Sequence, residues 1–267
     1  MSDIRVSNIL GYANKRVIVT GCSSGMGRAA AKLLLELGAQ VQGLDNQRAD
    51  LDLASFRLVD LREPASLEQA VSSIGGKIDA LFNCAGVGPT FSTIDKMKVN
   101  FIGTRHLTDL VLPLMGDGGA IASIASTAAM GWSRRIPVHK RLLEIKEYDA
   151  AVRWAEDNLE MIGEGYGFSK EAIVVWTLAA SQQLIKRGIR INCVLPGLTQ
   201  TPMLTDQIAV RTSSEVLQSV IQPIGRAARP EEQAFLLVMM NSAAAGYLNG
   251  AAINVDGGRL ALLALRD

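Results

Sequence analysis

Net charge, histidine and cysteine are what this chain of 267 residues has least of. Its 27 lysines and arginines are balanced by 26 aspartates and glutamates, leaving a formal net charge of +1, so no bulk attraction to nucleic acid or an anionic membrane is implied. The expected ligand is a small molecule. The two histidines, His106 and His139, lack the neighbours that a zinc site or a Ser/His/Asp arrangement requires. No function is expected of them, and no metal. Cys22, Cys84 and Cys193 lie far apart in apolar or glycine-rich contexts, which suits reduced thiols better than a disulfide framework. No run of residues approaches a membrane span, and residues 1–14 carry no apolar core with a basic flank. A cytoplasmic protein is expected. No Pro/Ser-rich or charged linker divides the chain, so residues 1–267 are read as a single domain.

What is present alternates between two periodicities. Residues 16–20 form a β-branched run that ends at Gly21, and apolar residues then recur at helical spacing over 26–37 until Gly38. The turn between them reads Thr20-Gly21-Cys22-Ser23-Ser24-Gly25-Met26-Gly27. Glycine there permits tight backbone angles and removes the Cβ that would keep a pyrophosphate from the helix N-terminus. The context of strand, glycine turn and helix is the one a dinucleotide fingerprint requires.

A second strand, residues 40–45, ends in Asp45, at the distance expected of a ribose-binding carboxylate. Such a carboxylate accepts from ribose hydroxyls and repels a 2′-phosphate, so NAD is expected over NADP; a solvated acid after a strand is the plainer reading. No basic residue replaces Ser24 or Asn46, although Arg48 follows closely. Further strands are expected at 56–59, 78–83, 120–125, 190–194 and 252–255, with helices at 67–74, 96–115, 166–186 and 231–240. This alternation implies a doubly wound, mostly parallel sheet of seven strands flanked by helices. Ligands bind such sheets beyond the strand carboxyl ends, where Asp45, Asp60 and Asn83 fall.

Tyr166 and Lys170 stand four residues apart, one above the other on a helix face. An ammonium beside a phenol favours the phenolate and moves a poor acid towards the working range. The pair by itself is more often an ordinary feature of a helix.

In order along the chain, Thr20-Gly21-x-x-x-Gly25-x-Gly27, Asn83-Cys84-Ala85-Gly86, Asn100, Ser126, Tyr166-x-x-x-Lys170 and Pro196-Gly197 resemble the motifs of the short-chain dehydrogenase/reductase family. The resemblance implies a Rossmann-type fold and a hydride-transfer enzyme acting on a secondary alcohol or ketone. It implies Tyr166 as catalytic acid or base, Ser126 orienting the substrate oxygen, Lys170 holding the nicotinamide ribose and lowering the Tyr166 pKa, and Asn100 supporting a proton-relay water. The cofactor would meet Gly21, Ser24, Gly25, Met26, Gly27, Asp45, Asp60, Leu61, Asn83, Ala85, Gly86, Tyr166, Lys170, Pro196, Gly197, Thr199 and Thr201. A homodimer is expected, with the family's tetramer as the other outcome.

Forty residues separate Ser126 from Tyr166, more than in most family members, and the excess over about 131–165 is too long for a structureless connection. Leu142, Ile145, Val152, Trp154, Leu159 and Ile162 fall near helical spacing within it, so one or two amphipathic helices are expected. A similar insertion, and the patterns around Pro196 and around Asn254-Val255-Asp256-Gly257-Gly258, resemble the branch of bacterial 3α-hydroxysteroid dehydrogenase/carbonyl reductase. Residues 198–226 are read as a substrate lid, with Met203, Leu204, Ile208 and Leu217 as wall candidates. Its apolar character favours a hydrophobic alicyclic, steroid-like or aromatic substrate. The rival readings are a dinucleotide-binding sensor or scaffold without turnover, and a nucleic-acid binder. Ser126, Tyr166 and Lys170 argue against the first, and the near-neutral charge against the second.

Overall fold

The computed structural model describes residues 9–88, 90–205 and 222–265. Strands β1 (Arg16–Thr20), β2 (Gln40–Asp45), β3 (Ser55–Leu58), β4 (Ile78–Asn83), β5 (Met115–Ile124), β6 (Arg190–Pro196) and β7 (Ala252–Val255) form one sheet in the order β3-β2-β1-β4-β5-β6-β7. All six neighbouring pairs are parallel. The expected "mostly parallel" sheet is thus parallel throughout, with helices in every crossover except the one from β2 to β3.

Alternate residues of the central strands feed two cores. Ile18, Leu81, Ile121 and Ile191 pack to one face with Phe101, Phe168 and Trp176. Val17, Val19, Phe82, Ala122 and Val194 pack to the other with α1 (Gly25–Glu36) and α9 (Pro230–Asn241). Strands buried on both faces carry continuous apolar runs, which is why they stand out in the sequence. Among the described residues no helix is long and apolar enough to cross a membrane.

Helix α2 (Pro64–Ile74) lies between β3 and β4. The long helix expected over 96–115 is composite: α3 (Thr93–Met97), a π-turn (Lys98–Gly103), α4 (Thr104–Val111) and a 3-10 turn (Leu112–Leu114). Met115 already belongs to β5, since Pro113 lacks the N–H that would extend the helix. Gly103 lets this helix approach the loop after β3, because a Cβ there would stand 2.1 Å from the Leu61 carbonyl oxygen.

The insertion holds three helices, not one or two: α5 (Ile136–Glu144), α6 (Tyr148–Asp157) and α7 (Leu159–Ile162). Leu142, Val152 and Ile162 are buried as expected, and Trp154 and Ile145 partly so, whereas Leu159 is 46% exposed. Trp154 stacks on Phe168 of α8 (Tyr166–Leu184), with ring centroids 6.3 Å apart. The Arg105 guanidinium of α4 donates to the Ile145 carbonyl at 2.6 Å and to that of Leu142 at 3.3 Å, the latter shared with the Ile145 amide, and so ties α4 to the end of α5. The insertion therefore packs on α3, the π-turn and α8, with Arg105 its main tie to α4. Of the lid, Ile208 and Leu217 lie outside the described residues. The last described helix is α10 (Arg259–Ala264).

Candidate active site

The turn from β1 into α1 is shaped by close approach. A Cβ on Gly21 (φ +67°) would stand 2.8 Å from the Ala85 backbone, and one on Gly27 would stand 2.1 Å from the Gly21 carbonyl oxygen. Gly25 also has positive φ, at +52°. Thr20 Oγ1 accepts from the amides of Cys84 and Ala85, both at 3.0 Å, tying β1 to the loop after β4. Ser24 is the N-cap of α1 but makes no capping bond with its side chain, which leaves first-turn amides facing the cleft. At the end of β2 the Asp45 carboxylate accepts from Ser23 N at 2.8 Å and Gln47 N at 3.0 Å.

These residues border a cleft of about 330 Å³ whose walls include Gly21, Ser24, Gly25, Met26, Gly27, Asp45, Asp60, Leu61, Ala85, Gly86 and Thr201. A glycine-lined cradle at an uncapped helix start, with a carboxylate one strand away, fits a nicotinamide dinucleotide. A second cavity of about 450 Å³ is bordered by Ser126, Tyr166, Lys170, Pro196, Gly197, Thr199, Thr201, Met203 and Leu204. The two run together, sharing Met26, Cys84, Gly86, Thr201 and Met203.

Two of the residues singled out in the sequence stand elsewhere. Asn83 borders neither cavity; its amide nitrogen donates to Thr108 Oγ1 at 3.0 Å and Ser123 Oγ at 3.2 Å, because the side chain of this last β4 residue turns into the buried core. Asn100 is also behind the wall. Its amide accepts from Val87 N at 2.8 Å and donates to Val87 O at 3.1 Å and Ser169 Oγ at 3.2 Å. It links the β4 loop to α8, and both its amide hydrogens are engaged, so a relay water would need another of its atoms. Asp60 does border the cleft, but Arg62 grips its carboxylate at 2.6 Å and holds the carboxyl below its ordinary range. Arg62, Thr20 and Cys84 are wall residues that the sequence reading did not assign.

Tyr166 opens α8 directly after Gly165, whose φ is +79°. Burial pushes its phenol above its ordinary value, and a hydrogen bond with Ser126 opposes that rise. Burial also pulls Lys170 down to about 8. The Lys170 ammonium donates to the Ile124 carbonyl at 2.8 Å and lies 5.9 Å from the centre of the Tyr166 ring. A Cβ on Gly86 would stand 3.2 Å from Asn100 Oδ1 and 3.4 Å from Lys170 Nζ, so glycine keeps the space above both polar groups open.

Comparison with known proteins agrees with this geometry. Residues 15–137 match the family model described as short chain dehydrogenase, and residues 148–259 match the one described as enoyl-(acyl carrier protein) reductase. The chain is 33% identical to a coniferyl-alcohol dehydrogenase of a Pseudomonas species, over 92% of this chain and 96% of that protein. It is 29% identical to the 3-alpha-hydroxysteroid dehydrogenase/carbonyl reductase of Comamonas testosteroni, over 91% and 95%. The crystal structure of the 3-alpha-hydroxysteroid dehydrogenase from Pseudomonas sp. B-0831 complexed with NADH superposes with a TM-score of 0.80 at 29% identity, covering 95% of this chain and 100% of that one.

Proposed function

The chain belongs to the short-chain dehydrogenase/reductase family, and from that premise we propose that it interconverts a secondary alcohol and a ketone with NAD. The observation that carries the reading is the continuity of the glycine cleft with the cavity that gathers Ser126, Tyr166 and Lys170. Bound in the cleft, the nicotinamide supplies or accepts the hydride. Gly21, Gly25 and Gly27 admit the pyrophosphate to the start of α1, and Asp45 accepts from the adenosine ribose hydroxyls. In reduction Tyr166 donates its phenolic proton to the carbonyl oxygen that Ser126 orients; in oxidation it takes that proton back. Lys170 holds the nicotinamide ribose. Asn100 fixes the β4 loop against α8 and so sets the distance between cofactor and acid.

The preference for NAD rests on Asp45, which would meet a 2′-phosphate with like charge, and is supported by the NADH complex of the structural relative. The substrate is read as a hydrophobic alicyclic, steroid-like or aromatic alcohol. Met130, Leu198, Met203 and Leu204 in the cavity wall support this, as do the coniferyl alcohol and hydroxysteroid in the relatives' names. The test is a screen of purified protein with NAD and NADP against a panel of secondary alcohols, following reduced nicotinamide by absorbance. NAD-dependent turnover of a ring-bearing alcohol is expected, with Asp45→Ala narrowing the cofactor preference. Equal efficiency with both cofactors in the unmodified protein would sink the NAD assignment.

A further inference from the structure

The cavity that holds Lys170 has a second buried lysine in its wall. Lys96, near the end of α3, is 2% exposed, against 4% for Lys170. Its Nζ donates to the Glu164 carbonyl at 2.6 Å, and among the described residues no carboxylate lies within ion-pair reach. Its neighbour Asp95 is engaged by Ser92 and Arg62. The charged residues of the wall are Lys96, Lys170, Arg259 and the exposed Glu164.

A lysine is seldom fully buried without a counter-charge, because removing an ammonium from water is costly unless something replaces the lost solvation. On the reading above, the cofactor ribose meets this need for Lys170. Nothing yet described meets it for Lys96. One of its three N–H groups is used on Glu164, leaving two donors for which an anion would supply both acceptor and counter-charge. A purely structural strap between α3 and the start of α8 would need no charge: Thr93 Oγ1 already makes one, to the Gly163 carbonyl at 3.0 Å.

We infer that Lys96 receives a carboxylate of the substrate, so that the enzyme acts on alcohols or ketones combining an apolar ring with an acid group. This rests on the proposed alcohol–ketone chemistry and names its substrate class. Met130, Met203 and Leu204 hold the ring, and the carboxylate completes the hydrogen bonding of Lys96.

The experiment compares 1-phenylethanol with its meta- and para-carboxylates and their methyl esters, using NAD and the full-length protein. For at least one acid, kcat/KM is expected to exceed that of its ester at least tenfold, mainly through KM. Lys96→Gln keeps a donor for Glu164 and removes the charge; it should bring the acid-to-ester ratio close to one, and Lys96→Arg should restore much of it. Equal turnover of acid and ester in the unmodified enzyme overturns the inference. So does an equal fall for both in Lys96→Gln, which would make Lys96 a strap that positions Tyr166. If no alcohol is turned over, the alcohol–ketone reading itself fails. Calorimetric titration with benzoate then decides the carboxylate site separately: binding lost in Lys96→Gln supports it, and no binding to the unmodified protein rejects it.

Discussion

Tyr166 stands half-buried at the first position of α8, with Lys170 one turn on. The spacing to Lys170 and the flanking motifs mark the pair, but burial, which pushes the phenol up and the ammonium down, is a property of the folded cavity. Two predictions follow from the signs. A phenol held above its ordinary value is protonated at neutral pH, so ketone reduction is expected to be fastest near or below neutrality and alcohol oxidation to rise with pH. In Tyr166→Phe turnover should fall about 10²–10⁴-fold with cofactor affinity kept, and the phenolate absorbance that this variant loses should belong to a tyrosine titrating above its ordinary value. Near-parental ketone reduction by the variant would remove Tyr166 as the acid. For Lys170, the folded state binds fewer protons than the unfolded chain between the folded value of about 8 and the ordinary 10.5. Its contribution therefore makes stability rise with pH across that window. Denaturant titrations should show that rise in the unmodified protein and a flatter profile in Lys170→Met, which is also expected to bind NAD more weakly. At the same scale, Asn83 and Asp60 were marked by their place at strand ends. Strand position fixes where a Cα lies, whereas the pleat turns Asn83 inward and an arginine two residues on occupies Asp60.

Strand limits are legible where turn residues bound an apolar run, whatever the burial: half-exposed β7 agrees, whereas fully buried β6 runs two residues beyond its expected end. The limits of β1, β2, β4 and β7 agree with the expected ones because apolar runs and terminal glycines or polar residues bound them. The helix before β5 was read as continuous because its apolar period runs through the π-turn, and the insertion lost a helix in the reading because α7 is only four residues long. His139 was assigned nothing, yet it is fully buried in α5 and its Nε2 meets Glu171 Oε2 at 3.0 Å. Glu171 follows Lys170 on α8, and Arg135 approaches the same oxygen at 3.6 Å. No sequence spacing announces this contact, since 32 residues separate its partners. The pair fastens the insertion to the helix that carries the proposed acid. Replacing His139 by alanine leaves a buried carboxylate with one half-exposed partner, and a loss of about 3 kcal/mol is expected. A thermal midpoint lowered by roughly 6–12 °C would register it, and an unchanged midpoint would mean that the contact holds nothing together.

For the whole molecule, the packing of the insertion on α3, the π-turn that carries Asn100 and α8 bears on assembly, because the helix with Asn100 and the helix opened by Tyr166 are a common meeting surface between subunits in this family. With that surface occupied, a homodimer is expected through α9 and β7, where Phe235 is 61% exposed, Met239 39% and Tyr247 fully so. Solution mass should give a dimer, Phe235→Glu with Met239→Glu should give a monomer, and replacing residues 134–163 by a short linker should raise the oligomeric state. A tetramer in the intact protein, or an unchanged dimer after the deletion, would contradict this arrangement. The packing of α9 on α1 has a different consequence. Ala30, Ala31 and Leu34 near the start of the chain share their core with Ala234, Leu237 and Val238 near its end, and Tyr12 donates to the Val238 carbonyl at 2.7 Å. At about 5–20 residues per second on the ribosome, the apolar side of the first helix waits tens of seconds for its partner. Nascent chains halted before Pro230 would hold α1 against β1 and β2 alone, leaving uncovered the apolar side that α9 protects, which makes them substrates for chaperones and proteases.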